Sequence, residues 1–171
     1  IYSRSYALTT YPVMVAGVAV GNVAVPALSR LADEEGRRSR YFWRVFSLMA
    51  LMSFPLTGFV AASADSLIRV ALGPQWVDAI PVVRWMALFI PYYGLTAATT
   101  WLLMATGKTK TMFHWSLANA VVIATILIFS VPHGIVAVAA AYSLGTLLVR
   151  APVFFRMAGS AAGISLRQFF R

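Results

Sequence analysis

Five apolar runs, separated by short stretches that hold most of the charge, constrain this chain more than any other feature. The runs cover residues 8–28, 41–63, 79–105, 112–131 and 134–155. At 1.5 Å per residue, a run of about twenty residues spans a hydrocarbon core of about 30 Å. The chain is 60% hydrophobic and 11% charged, whereas a soluble domain carries about 25% charged residues. That leaves too little polar surface to cover a globule of 171 residues. The expected fold class is therefore all-α: a polytopic membrane helix bundle with five transmembrane helices, and with lipid as its outer solvent.

The formal charge of +9 has to be read in that setting. On a soluble domain it would suggest nucleic acid, but no basic surface interleaved with aromatic residues supports such a partner. The basic residues cluster instead between spans. Segment 29–44 carries Arg30, Arg37, Arg38, Arg40 and Arg44 against Asp33, Glu34 and Glu35, and segment 107–110 carries Lys108 and Lys110. The tail 156–171 adds Arg156, Arg167 and Arg171 with no acid. By the positive-inside bias all three are cytoplasmic. Segments 64–78 and 132–134 then fall on the opposite side. The N-terminal end is expected outside and the basic tail inside. An odd number of spans with the first residue outside, and a start at Ile1, suggest that an upstream part is missing.

Several local features refine this picture. Gly17 and Gly21 are spaced so that another helix can approach closely. Pro55 lies inside the second run, where proline removes a backbone bond and kinks a helix. Segment 64–88 holds an amphipathic stretch over 65–72, read as a short outer interfacial helix stopped by Gly73 and Pro74. The third run contains Pro91, Tyr92, Tyr93, Gly94 and Thr96, the most polar-capable patch in any span. Tyr92, Tyr93 and Thr96 are candidates for the wall of a water-filled lumen, against the simpler alternative of hydrogen bonding between helices.

The inventory of reactive groups is short. Without cysteine there can be no disulfide, zinc thiolate or cysteine nucleophile. His114 and His133 have no neighbouring metal-ligand pattern, and no Ser/His/Asp or paired-carboxylate arrangement shares a helix face. We expect no enzyme, no catalytic residue, no metal and no cofactor. All five carboxylates, Asp33, Glu34, Glu35, Asp65 and Asp78, fall in loops or at span ends. What remains is cationic: Arg4, Arg44, Arg69, Arg84 and Arg150 lie at or just inside membrane boundaries. Each alone can be a snorkelling residue. Together, and unpaired with acids, they would suit an anionic substrate such as a phosphate or pyrophosphate.

Segment 64–88 also carries a resemblance. Ala64-Asp65-Ser66-Leu67-Ile68, Leu72-Gly73-Pro74-Gln75-Trp76 and Ala79-Ile80-Pro81-Val82-Val83-Arg84-Trp85-Met86-Ala87-Leu88 resemble the bacterial lipopolysaccharide and capsule polysaccharide flippases of the multidrug/oligosaccharidyl-lipid/polysaccharide exporter superfamily. Tyr2-Ser3-Arg4-Ser5-Tyr6, Val25-Pro26-Ala27-Leu28-Ser29-Arg30-Leu31, Ser53-Phe54-Pro55-Leu56 and Trp101-Leu102-Leu103-Met104-Ala105-Thr106-Gly107-Lys108 agree in order and spacing. The resemblance implies a larger two-lobed exporter fold, of which this chain is most of the second half, in the bacterial inner membrane. It implies transport of undecaprenyl-pyrophosphate-linked oligosaccharide by alternating access, with membrane lipid and the missing half of the polypeptide as partners. Arg4 and Arg84, near the outer end, and Arg44 and Arg150, from the inner end, become candidates for contact with the anionic headgroup. Two alternatives stand beside it. A drug or small-cation exporter of the same fold would need a membrane-depth acid, and a polysaccharide polymerase would need a large outer loop.

Overall fold

The computed structural model describes residues 2–162, with the side chains of residues 2–4, 8 and 160–162 outside that description. The chain is an all-α bundle. Its helices are α1 (Tyr2–Arg30), α2 (Glu35–Ala71), a 3-10 segment (Pro74–Ala79), α3 (Ile80–Ala87), α4 (Ile90–Ala105), α5 (Thr109–Ser130), α6 (Ile135–Gly145), a π-helical turn (Thr146–Arg150) and α7 (Ala151–Ala162). A short 3-10 turn over Val131–His133 joins α5 to α6. Four stretches are long and apolar enough to cross a membrane: Thr9–Arg30, Glu35–Ala71, Thr109–His133 and Ile135–Gly159. A fifth forms if Pro74–Ala87 and Ile90–Ala105, bent by 45°, count as one span.

Two elements differ from the sequence reading for identifiable reasons. Residues 65–72 do not form a separate interfacial helix, because α2 runs unbroken to Ala71. No glycine or proline interrupts the chain between Gly58 and Gly73, and Asp65 spends its carboxylate on Arg69 one turn later (2.9 Å) instead of capping a new helix. At 37 residues, α2 is about 55 Å long, so its charged ends project well beyond a hydrocarbon core of about 30 Å. Pro55 lies within this helix without ending it. The stop is at Gly73: the Leu72 and Gly73 amides both donate to the Ile68 carbonyl, and Gly73 adopts φ +93°, which a residue with a Cβ rarely tolerates.

The third run is where the backbone breaks. α3 ends at Ala87 and α4 starts at Ile90, leaving Leu88 and Phe89 as the joint. Pro91 has no N–H to give the Ala87 carbonyl, and here, unlike at Pro55 in α2, the helical ladder breaks. The joint closes with tighter bonds, from the Leu88 amide to Trp85 and from the Phe89 amide to Met86.

Packing centres on α4. It lies against α1 and α2 on one side and α7 on another, while α3 bridges α1, α2 and α6. One apolar core joins α1 to α4 through Leu28, Met49, Ile68, Val83, Ile90 and Leu102, all fully buried. Gly94 permits the close α2–α4 approach, since a Cβ there would collide with the Ser53 hydroxyl. Gly17 and Gly21 do receive a neighbour, but from within this chain. Met49 of α2 lies beside Gly17, and the Trp101 ring of α4 lies where a Gly21 Cβ would come within 2.9 Å of it. α5 is apolar on every face, with Phe113, Leu117, Val121, Ile128 and Phe129 exposed. A helix of that kind belongs in lipid or against further protein.

Candidate functional site: a buried arginine in an aromatic cage

The one charged side chain buried among the described residues is Arg150, 5% exposed. It sits at the end of the π-helical turn that interrupts the last apolar run. Such turns are uncommon and collect at functional sites. The turn brings Thr146 and Arg150 together, and Arg150 Nη1 donates to Thr146 Oγ1 at 2.7 Å. Across the helix interface Nε donates to Asn119 Oδ1 of α5 at 2.6 Å. Asn119 is ten residues into a span that starts at Thr109, about 15 Å from its end, so the pair lies at mid-membrane depth.

Two tyrosines complete the enclosure. The guanidinium carbon is 5.0 Å from the Tyr92 ring centre and 5.2 Å from that of Tyr142, within reach of cation–π attraction on both sides. Behind them stands Phe89, the residue at the α3–α4 joint. Its ring is 5.5 Å from Tyr92, 5.4 Å from Tyr142, 6.2 Å from Tyr93 and 6.1 Å from Tyr6. The joint, the cage and the π turn therefore form one contiguous cluster.

No carboxylate neutralises this charge. The ion pairs among the described residues are Arg37–Glu34, Arg38–Glu35 and Arg69–Asp65, all in α2 or at its start. A guanidinium at membrane depth, without a counter-ion, has its cost offset only by dipoles and ring faces. Groups of this kind mark binding or conduction pathways more often than scaffolding.

The other sequence candidates fall in different places. Tyr92, expected on an open wall, is 6% exposed and sits beneath Arg150. Thr96 is half-buried, and its hydroxyl is spent on the Tyr92 carbonyl at 2.7 Å. Tyr93 is half-buried and lines a groove between α4 and α1. Arg44 on α2 and Arg84 on α3 are both exposed and project away from the bundle. Arg4 lies in the first turns of α1, and its side chain is outside the described residues. Arg150 is thus brought together with Tyr92 alone among these candidates, and Arg44 and Arg84 lie outside the cluster.

Sequence reasoning did not assign Asn119, Tyr142, Thr146 or Phe89 to a site. A signal for two of them existed: Tyr142 and Thr146 recur with Arg150 at every fourth residue and so share one helix face. Asn119 is the only carboxamide in its span. Among the described residues no group of three or more His, Asp or Glu side chains could hold a metal ion.

Residues 1–81 match a family model described as polysaccharide biosynthesis protein. That match includes Arg4 and Arg44 and stops short of Arg84 and Arg150. Over 115 residues the chain is 27% identical to the teichuronic acid biosynthesis protein TuaB of Bacillus subtilis (strain 168). The aligned region is 67% of this chain and 24% of the relative, so the chain spans about a quarter of the length of the relative it matches. No solved structure matches. The chain is thus similar to polysaccharide biosynthesis proteins, and its run of membrane-length helices is that of a multi-pass membrane protein.

Proposed function

We propose that this chain forms part of a transporter that moves an anionic, lipid-linked oligosaccharide across the bacterial inner membrane, and that it is not an enzyme. The observation that carries the reading is the charge asymmetry at membrane depth. A buried Arg150 has no carboxylate partner, and all five acids lie at positions 33–35, 65 and 78. A pathway with this balance attracts anions and repels cations, which disfavours a drug-cation exporter. The likeness to polysaccharide biosynthesis proteins, and the name of the Bacillus relative, support a glycan as cargo.

In this reading the cargo is carried on undecaprenyl pyrophosphate. Arg4, Arg44 and Arg84 meet the pyrophosphate on the face presented to the rest of the protein. Arg150 supplies a fixed positive potential from within the bundle. The N-terminal end is periplasmic and the C-terminal tail cytoplasmic. The α3–α4 joint at Leu88–Phe89 gives the bundle a place to flex during alternating access. The test is complementation of a null strain with the full-length protein carrying Arg4→Ala, Arg44→Ala, Arg84→Ala or Arg150→Met. Surface glycan should fall, and lipid-linked precursor should accumulate, at unchanged protein abundance. Normal export by all four variants would refute the headgroup role.

A further inference from the structure

A groove between α1 and α4 sets two aromatic rings and one carboxamide in a mostly apolar lining that includes Met14, Val18, Val25, Ala97 and Met104. Its volume is about 580 Å³, within the usual range for ligand pockets. Trp101 and Tyr93 line it from α4, and Asn22, Gly21 and Pro26 line it from α1. The Trp101 ring can occupy this position because Gly21 has no side chain: a Cβ there would come within 2.9 Å of the indole. Both rings are half-buried, and Asn22 is exposed.

The polar side of the groove sits where lipid would not tolerate it. Asn22 lies thirteen residues past Thr9, the start of its span, about 20 Å along the helix. An exposed carboxamide at that depth belongs against protein or a wet cavity. The backbone adds a second polar group. Pro26 lies one helical turn after Asn22 and has no N–H, so the Asn22 carbonyl lacks its usual helical donor. Membrane helices keep such groups where water, protein or a ligand can satisfy them.

We propose that this groove binds a saccharide ring of the transported glycan, with the ring's apolar C–H face on Trp101 and Tyr93 and its hydroxyls on the Asn22 amide and carbonyl. Aromatic side chains offer an apolar face of that size, and the carboxamide offers both a donor and an acceptor. Tyr93 joins the groove to the Arg150 cluster through Phe89, so the sugar would lie beside the fixed positive charge. The proposal rests on the transport reading and adds to it where the sugar is held.

The experiment uses the purified full-length protein. The probe is the water-soluble repeat oligosaccharide released by mild acid from the organism's own surface glycan. Saturation-transfer NMR should show contact at sugar C–H protons. Trp101→Ala should weaken binding about tenfold, and Trp101→Phe, which keeps a ring, should stay within about threefold of wild type. Unchanged transfer in Trp101→Ala would overturn the proposal. A second arm places a single cysteine at Asn22→Cys; this chain has no other, and any cysteine elsewhere in the full-length protein is first replaced by serine. A water-soluble maleimide should label it, and the oligosaccharide should protect it. A site that never labels is covered by lipid or by another helix, and that result would also overturn the proposal. The two readings fail separately. A null strain with normal glycan export refutes transport, whereas export loss with sugar binding indifferent to Trp101 refutes the groove alone.

Discussion

Replacing Arg150 by methionine separates its charge from its packing. Arg150 Nε and Nη1 each make one hydrogen bond to a side chain, and two rings flank the guanidinium. Desolvated cation–π contacts contribute about 1–2 kcal/mol each. Hydrogen bonds inside membrane proteins contribute about 0.6–1.7 kcal/mol each. The cage therefore returns about 3–7 kcal/mol against an insertion cost of about 3 kcal/mol for an arginine at the centre of a span. The net contribution is the difference, about 0–4 kcal/mol. Methionine fills the space of the arginine stem and carries no charge to desolvate, so Arg150→Met should destabilise the full-length protein by no more than about 4 kcal/mol. Arg150→Ala also opens a cavity beneath Tyr92 and Tyr142, and should cost about 2 kcal/mol more. Thermal unfolding of the purified proteins measures these differences, and glycan export in the null strain measures the loss of charge. The account requires that Arg150→Met fold well and fail to export. Wild-type export by Arg150→Met would refute the reasoning, because the charge would then have no use.

Other substitutions test the packing. Gly94→Ala should destabilise α2 against α4 by about 1–3 kcal/mol, since the new methyl meets the Ser53 hydroxyl. The double variant with Ser53→Ala should recover most of that, because the two remaining contacts, 3.5 Å to Ser53 Cβ and 3.6 Å to Met49 Cε, are ordinary; thermal unfolding of the single and double variants decides it. Gly73→Ala should cost about 1–3 kcal/mol through its positive φ and its contact with Gln75, again read by thermal unfolding. Asp65→Ala should leave the melting temperature unchanged, because the Asp65–Arg69 pair is solvent-exposed.

The apolar runs and the charge clusters between them were legible in the sequence because membrane insertion depends on local composition, and local composition is what a sequence displays. The continuity of α2 was harder to see. The polar residues of 65–72 read as a separate interfacial helix until Asp65 and Arg69 are found paired along one continuous helix. The break at Leu88–Phe89 had a local cause in Pro91, but its consequence, Phe89 at the centre of four tyrosines, depends on how α1, α4 and α6 pack. Arg150 was visible as a cation near a span end. Its depth came from the π turn and from Asn119, thirty-one residues away, and no local pattern reports a partner at that distance. Tyr92 stayed a candidate for either an open wall or interhelical hydrogen bonding for the same reason: a mid-span hydroxyl reads alike whether it faces water or a buried guanidinium.

The most direct test of the account is transport itself. The full-length protein is reconstituted into liposomes with a fluorescent undecaprenyl-pyrophosphate-linked oligosaccharide, and its arrival in the opposite leaflet is followed by quenching. The account predicts protein-dependent movement that Arg150→Met abolishes while leaving reconstitution intact. Movement no faster than in protein-free liposomes, under conditions where the protein restores export to the null strain, would contradict it.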